Sequence, residues 1–189
     1  MFTSTVARKR IVPPDRGKEN KILAVVGSVN PVTRKQMEEL WLTQRTAYNI
    51  FVSAARFLEN EESREEEIKR AVTEVLAASE SYEILTVTGD GIYPENRVDF
   101  KRYEPGYPGG IDEMTRLICD SFAEITRRVF TYNSGYQGIY SSGGDITVAI
   151  CRKFNTAGLC LLDEVLPLAA YGKFLKGDFE GVFIITKGG

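Results

Sequence analysis

Histidine is absent from all 189 residues, and with it go Ser-His triads, Cys-His dyads, imidazole proton shuttles and His-rich metal centres. Any chemistry must therefore use carboxylates, lysine, backbone dipoles or a bound metal. The three cysteines, Cys119, Cys151 and Cys160, are an odd number without the close paired spacing of a zinc site. Their apolar or helical surroundings mark them as reduced thiols in or near the core. No apolar run reaches the roughly 18 residues of a membrane span, and no apolar signal-peptide core follows the basic N-terminal residues. A cytoplasmic location is expected. Charge of one sign is also lacking: a net charge of −2 and a pI near 5.4 give no general attraction to nucleic acid or to an anionic membrane, and neither is expected as a partner.

What the chain does have is apolar content, 43% of its residues, which suffices for one compact unit or one unit plus an appended piece. Residues 1–20 carry Arg8, Lys9, Arg10, Arg16 and Lys18 around Pro13-Pro14 with almost no apolar periodicity, so they read as a basic arm or linker ahead of a domain over 21–189. Residues 21–27 form a continuous apolar run ended by glycine, as in a strand covered on both faces of a parallel sheet. Asn30 and Pro31 then supply an N-cap and first-turn pair for a helix to about residue 44. The patterning predicts strands over 48–54, 83–88, 137–140, 159–165 and 181–186, and helices over 60–78, 111–131 and from Ile146 through Phe154. The fold class expected is α/β: a mostly parallel layered sheet flanked by helices, with glycine-rich strand-to-helix turns.

Two stretches fit no long element. Residues 172–177 read as a hairpin or loop. Residues 89–110 are rich in proline, glycine and tyrosine and read as a long loop, in which Tyr93, Tyr103 and Tyr107 are candidates either to cover a bound base or simply to pack on the surface. Glutamates at 61, 62, 65, 66 and 67 crowd the start of the second long helix, where Glu65 with Lys69 and Glu66 with Arg70 make four-apart pairs. A solvated face explains them, and no metal is placed there.

Three strand-end turns carry the candidate site. In the first, Gly27, Ser28 and Asn30 can offer N–H or side-chain contacts to an anion or a base, or serve only as a capped helix start. The second is Ser142, Gly143, Gly144, Asp145 and Thr147, where two glycines open a helix. A helix start exposes unpaired N–H groups and roughly half a positive charge, and glycine removes the Cβ that would hold an anion away. These residue types also build ordinary turns and N-caps. The third is Lys187 and Gly188 after the last apolar strand. In α/β folds ligands gather at the carboxyl ends of strands, which is where all three turns are expected.

The motifs Val-Gly-Ser-Val-Asn-Pro-Val-Thr-Arg-Lys-Gln (26–36), Ser-Gly-Gly-Asp-Ile-Thr (142–147) and Gly-Val-Phe-Ile-Ile-Thr-Lys-Gly-Gly (181–189) make residues 20–189 resemble the C-terminal, nucleotide-binding domain of the four-carbon acid sugar kinase family. The resemblance implies ATP-dependent phosphorylation of a sugar acid such as a threonate or erythronate, with the sugar acid held mainly by a separate N-terminal domain. Residues 1–20 supply no such domain, so the chain is expected to be a nucleotide-binding half that binds ATP without turnover. Carried over position by position, Ser28 contacts the nucleotide, Ser142 through Asp145 wrap its phosphates or base, and Gly188 lines the same site. Asn30 stands where many relatives have a second serine, and Leu168 and Ala170 stand where the glycine and second proline of a Pro-Gly-x-Pro-like turn are expected. Mg²⁺ would be held largely by ATP and water, with Asp145 as its candidate carboxylate unless Asp145 is only a helix cap. The reading allows a homodimer. The alternatives are a non-catalytic nucleotide- or phosphosugar-binding module for regulation or assembly, and a purely structural oligomerisation domain.

Overall fold

A computed structural model describes residues 21–133 and 135–188. The basic arm expected over residues 1–20 lies outside them. In chain order the elements are β1 (Lys21–Val26), α1 (Pro31–Thr43), β2 (Ala47–Val52), α2 (Ala54–Glu59), α3 (Glu61–Ala78), β3 (Ile84–Gly89), α4 (Phe100–Tyr103), α5 (Gly110–Tyr132), β4 (Tyr136–Ser142), α6 (Gly144–Lys153), β5 (Gly158–Leu166), β6 (Ala169–Leu175) and β7 (Phe183–Lys187). The strands form one seven-stranded sheet in the order β2-β3-β1-β4-β7-β6-β5. The first five are mutually parallel, and β6 and β5 close the sheet as an antiparallel edge. The α/β class with a mostly parallel sheet is thus what the chain adopts.

The reason lies in alternate residues of the central strands. Leu23 and Val25 of β1, with Leu85, Val87 and Ile139 beside them, face a core shared with α3, α5 and α6. Val26 instead packs on the other side against Met37 of α1 and Ile92. The apolar stripe expected on α5 supplies Met114, Phe122, Ile125 and Val129 to the interior, all at most 2% exposed, whereas Ile111 at its start is exposed. Full burial of each such side chain contributes roughly 1.5–3 kcal/mol relative to exposure. Phe154, at the end of α6, meets Phe174 and Phe179 at ring-centroid distances of 5.0 and 4.3 Å, tying the antiparallel edge to the parallel core.

Some local expectations change. The strand predicted over 48–54 stops at Val52, and a six-residue helix follows, driven inward by Phe57 and Leu58. Residues 172–175 belong to β6, and the turn comes at Lys176 and Gly177, both at positive φ. Gly172 is required there by close approach, because an added Cβ would lie 2.6 Å from the Cys160 carbonyl oxygen. The glutamate face of α3 is not uniformly solvated. Glu65 pairs with Lys69 as expected, but Glu66 pairs with Arg56, and Glu67 is only 3% exposed. Burial works against ionised Glu67, yet Arg70 and the Ser53 N–H hold its carboxyl below the ordinary range. Its role is to fix the turn at the end of β2.

Candidate functional site

The carboxyl ends of β1, β4 and β7 lie side by side because Val26 pairs with Ser142 and Ser142 with Lys187. Sequence positions far apart thereby become one edge. At the β1 corner, Ser28 shares a hydrogen bond of 3.1 Å with Thr33, and the Asn30 side chain accepts the Val32 N–H at 2.8 Å, capping α1. Pro31 in the first turn lacks an N–H of its own, so little of this helix start remains open.

The β4 corner is built differently. Gly143 adopts φ 115°, ψ 125°, a conformation that L side chains rarely enter, and α6 starts with no side-chain cap. The first helical bond is donated by the Thr147 N–H to the Gly143 carbonyl at 3.1 Å, leaving the amides before it directed at the corner. An added Cβ at Gly144 would meet nothing within 4 Å. The space in front of this helix start is open.

Hydrogen bonds join the three corners. The Gly27 N–H donates to the Ser142 carbonyl at 3.3 Å, and the Gly143 N–H to that of Lys187 at 3.1 Å. On the α1 side of the edge, the Lys187 ammonium donates to Thr33 Oγ1 at 3.4 Å. Thr33, only 1% exposed, therefore connects Ser28 to Lys187. Gly188 donates to the Leu168 carbonyl at 3.0 Å.

In front of the first two corners lies a cavity of about 510 Å³, a size that suits a small organic ligand. Ser28, Gly143, Gly144 and Asp145 line it, together with Gly27, Val29 and Ile146. Its inner wall comes from Ile118 and Phe122 of α5, and its outer wall from Arg97, Val98 and Phe100. Asp145 and Arg97 are the charged residues of this lining. Among the described residues no group of three or more His, Cys, Asp or Glu side chains is placed to hold a metal. Cys119, also in the wall, has its thiol pushed up to about 11, first by burial and then by the nearby Asp145 charge, so it stays protonated at neutral pH.

The other sequence-derived candidates occupy different places. Ser142 is wholly buried: its carbonyl accepts the Gly27 N–H, and its hydroxyl lies outside the cavity lining. The Thr147 hydroxyl is shared with Ser141 at 2.9 Å and with the Gly143 carbonyl at 3.2 Å, so it braces the corner from behind. Asn30 is engaged as a cap, and Lys187 and Gly188 lie one strand over from the cavity, outside its lining. The tyrosines of 89–110 do not line the cavity either. Tyr93 packs against Phe51 and the Val26–Met37 cluster, and Tyr107 donates its hydroxyl to the Leu58 carbonyl at 2.7 Å. Sequence reasoning missed Thr33, Arg97, Val98 and Phe100. Thr33 lies inside a quoted motif and could have been suspected; nothing in the loop's composition singles out the other three.

A family model described as the nucleotide-binding C-terminal domain matches residues 23–189. The chain is 35% identical over 192 residues to a D-erythronate kinase of Heliobacterium modesticaldum, an alignment covering 100% of this chain and 42% of the kinase. It is 23% identical over 168 residues to a D-threonate kinase of Salmonella typhimurium, covering 89% and 38% respectively. The chain thus spans less than half the length of either kinase. Among solved structures, a Haemophilus influenzae protein superposes with a TM-score of 0.68 at 19% identity, over 91% of this chain and 37% of its own. A Bordetella bronchiseptica domain, a domain-swapped dimer with bound citrate, gives 0.62 at 20% identity, over 89% and 37%. Both share the fold.

Proposed function

Because this chain belongs to the nucleotide-binding C-terminal domains of the four-carbon acid sugar kinase family, we propose that it is the ATP-binding half of a cytoplasmic kinase acting on erythronate- or threonate-type acids. The observation that carries this reading is the hydrogen-bonded junction of three glycine corners beside an apolar-walled cavity. The phosphates lie against the open α6 start, where the Gly144 and Asp145 amides and the helix dipole favour an anion. Ser28 contacts them from the β1 corner. The base enters the apolar part of the cavity between Phe100 and Phe122. Lys187 adds positive charge from the third corner and fixes it through Thr33.

Phosphoryl transfer to an alcohol needs positioning and charge neutralisation, and no histidine. Asp145 is the carboxylate in the cavity lining, a donor set that fits Mg²⁺ carried mainly by phosphates and water. Bound there, the ion supplies neutralisation of phosphate charge. The acceptor sugar acid and the group that takes its hydroxyl proton belong to a domain outside this chain, so the chain alone binds ATP without consuming it. A homodimer is part of the proposal.

Calorimetry with ATP tests the binding site, and coupled ADP release tests the activity. Supplying a sugar-binding half in trans is expected to start ATP consumption with D-erythronate or D-threonate. ATP binding without consumption under those conditions would favour the non-catalytic module instead.

A further inference from the structure

Arg97 stands on the loop from β3 toward α4, which passes over the β1 corner. Its Nη2 donates to the Val29 carbonyl at 2.8 Å and its Nε to the Gly91 carbonyl at 3.3 Å. The loop runs within van der Waals reach of the β1 corner: a Cβ added at Gly91 would sit 3.7 Å from Val29 Cγ1 and 3.8 Å from Arg97 Cγ, ordinary contact distances. A short turn over Pro94–Asn96, closed by the Arg97 N–H on the Pro94 carbonyl at 3.3 Å, delivers the side chain to the rim.

Two features are more than a loop staple needs. A guanidinium carries five N–H donors in a fixed fork, so two carbonyl bonds leave three donors unspent. Arg97 is also exposed, and like Arg45, Arg64, Arg102, Arg116 and Arg152 it forms no ion pair among the described residues, so its charge is not already spent on a carboxylate. It is the cation in the cavity lining, and the carboxylate there, Asp145, would repel a polyphosphate unless offset.

We propose that Arg97 is a phosphate clasp: it latches residues 89–97 onto the β1 corner through the Val29 and Gly91 carbonyls and turns its remaining N–H donors to the phosphates of the bound nucleotide. The inference rests on the nucleotide reading of the cavity. It places the loop's contact with the nucleotide on an arginine at the phosphates rather than on a tyrosine over the base. A bidentate or charge-assisted contact of this kind discriminates by phosphate number and is indifferent to the nucleoside.

The test compares wild type, Arg97→Ala and Arg97→Lys, each below its melting transition, for binding of ATP and of adenosine by calorimetry or amide-shift titration. Arg97→Ala is expected to weaken ATP binding by about 10- to 100-fold while leaving adenosine within about twofold. Arg97→Lys, which keeps the cation, is expected to recover part of that loss. Unchanged ATP affinity in Arg97→Ala overturns the clasp. So does an equal loss for ATP and adenosine, which would make Arg97 a loop staple, and so does an Arg97→Lys variant as weak as Arg97→Ala. If wild type binds no nucleotide, the reading of the cavity itself fails and the clasp falls with it.

Discussion

Helices α1 and α6 both begin at the carboxyl end of a parallel strand just past a glycine, yet they treat their first-turn amides in opposite ways. At α1 the chain caps itself: Asn30 takes the Val32 N–H, and Pro31 has no N–H to satisfy. At α6 no side chain caps the helix, Gly143 turns the backbone through a positive-φ conformation that L side chains rarely adopt, and a Cβ at Gly144 would meet nothing within 4 Å. Topology is common to the two corners; capping is not. On the reading proposed above, the α6 start, whose first amides no side chain caps, is the anion site, and the α1 start, capped by Asn30, is not.

The comparison breaks most visibly at Gly144. Gly144→Asp meets no steric obstacle and places an anion at a helix start, which suits the fold, so its melting temperature should stay near that of wild type. ATP affinity should fall by more than about 100-fold, because the new carboxylate faces the phosphates in a partly desolvated corner. Calorimetry showing wild-type affinity would remove the α6 corner from the site. At the self-capped corner the effect should be on stability: Asn30→Ala is expected to cost about 1 kcal/mol, read as a denaturation midpoint, with ATP affinity held within about twofold. A large affinity loss there would show that the two corners are not so different. The smallest effect is expected at the link between the β1 and β7 corners. Thr33→Val removes the hydroxyl joining Ser28 to Lys187 and should weaken ATP by about threefold, and no change at all would mean that the corners act independently.

Charge elsewhere is arranged for stability. Glu124 is held at about 2, first by the Arg127 pair and against the opposing effect of burial, with Arg128 and Lys153 adding to it. Its folded value lies below the ordinary glutamate value of 4.5, so the stabilisation is complete above that value and is lost as pH falls from 4.5 toward 2.

Much of this was legible in the residues. The apolar run of β1, the Asn30-Pro31 helix start and the α5 stripe carry their periods openly, because each buries a face long enough to repeat. Helix α2 did not show: six residues hold too few turns for a period, and only packing of Phe57 and Leu58 onto the core fixes it. β6 was obscured by Gly172, a loop signal by composition that serves here to let Cys160 approach. Ser28, Gly143, Gly144 and Asp145 were marked by glycine and by the strand-to-helix context, and the fold gathers them at one cavity. Ser142 and Thr147 share that motif, but the twofold alternation of a strand and the direction of a helix's first turn send their hydroxyls inward. Arg97 gave no signal, since its value depends on a long-range approach to Val29 that no local pattern encodes. Leu168 is a sharper case. It occupies φ 69° where a glycine was expected, so the turn supporting Gly188 keeps its shape at an expense of roughly 1–2 kcal/mol.

The parallel pairing of β1 with β4 and of β4 with β7 has a kinetic meaning. No fragment of the chain can assemble the three corners early, since each contact closes a long stretch of polypeptide and must wait for the sheet to order. The cradle is therefore expected to mature late in folding, as a property of the finished sheet. A ligand that grips it would hold the whole sheet together, slowing global unfolding more than it damps any local opening.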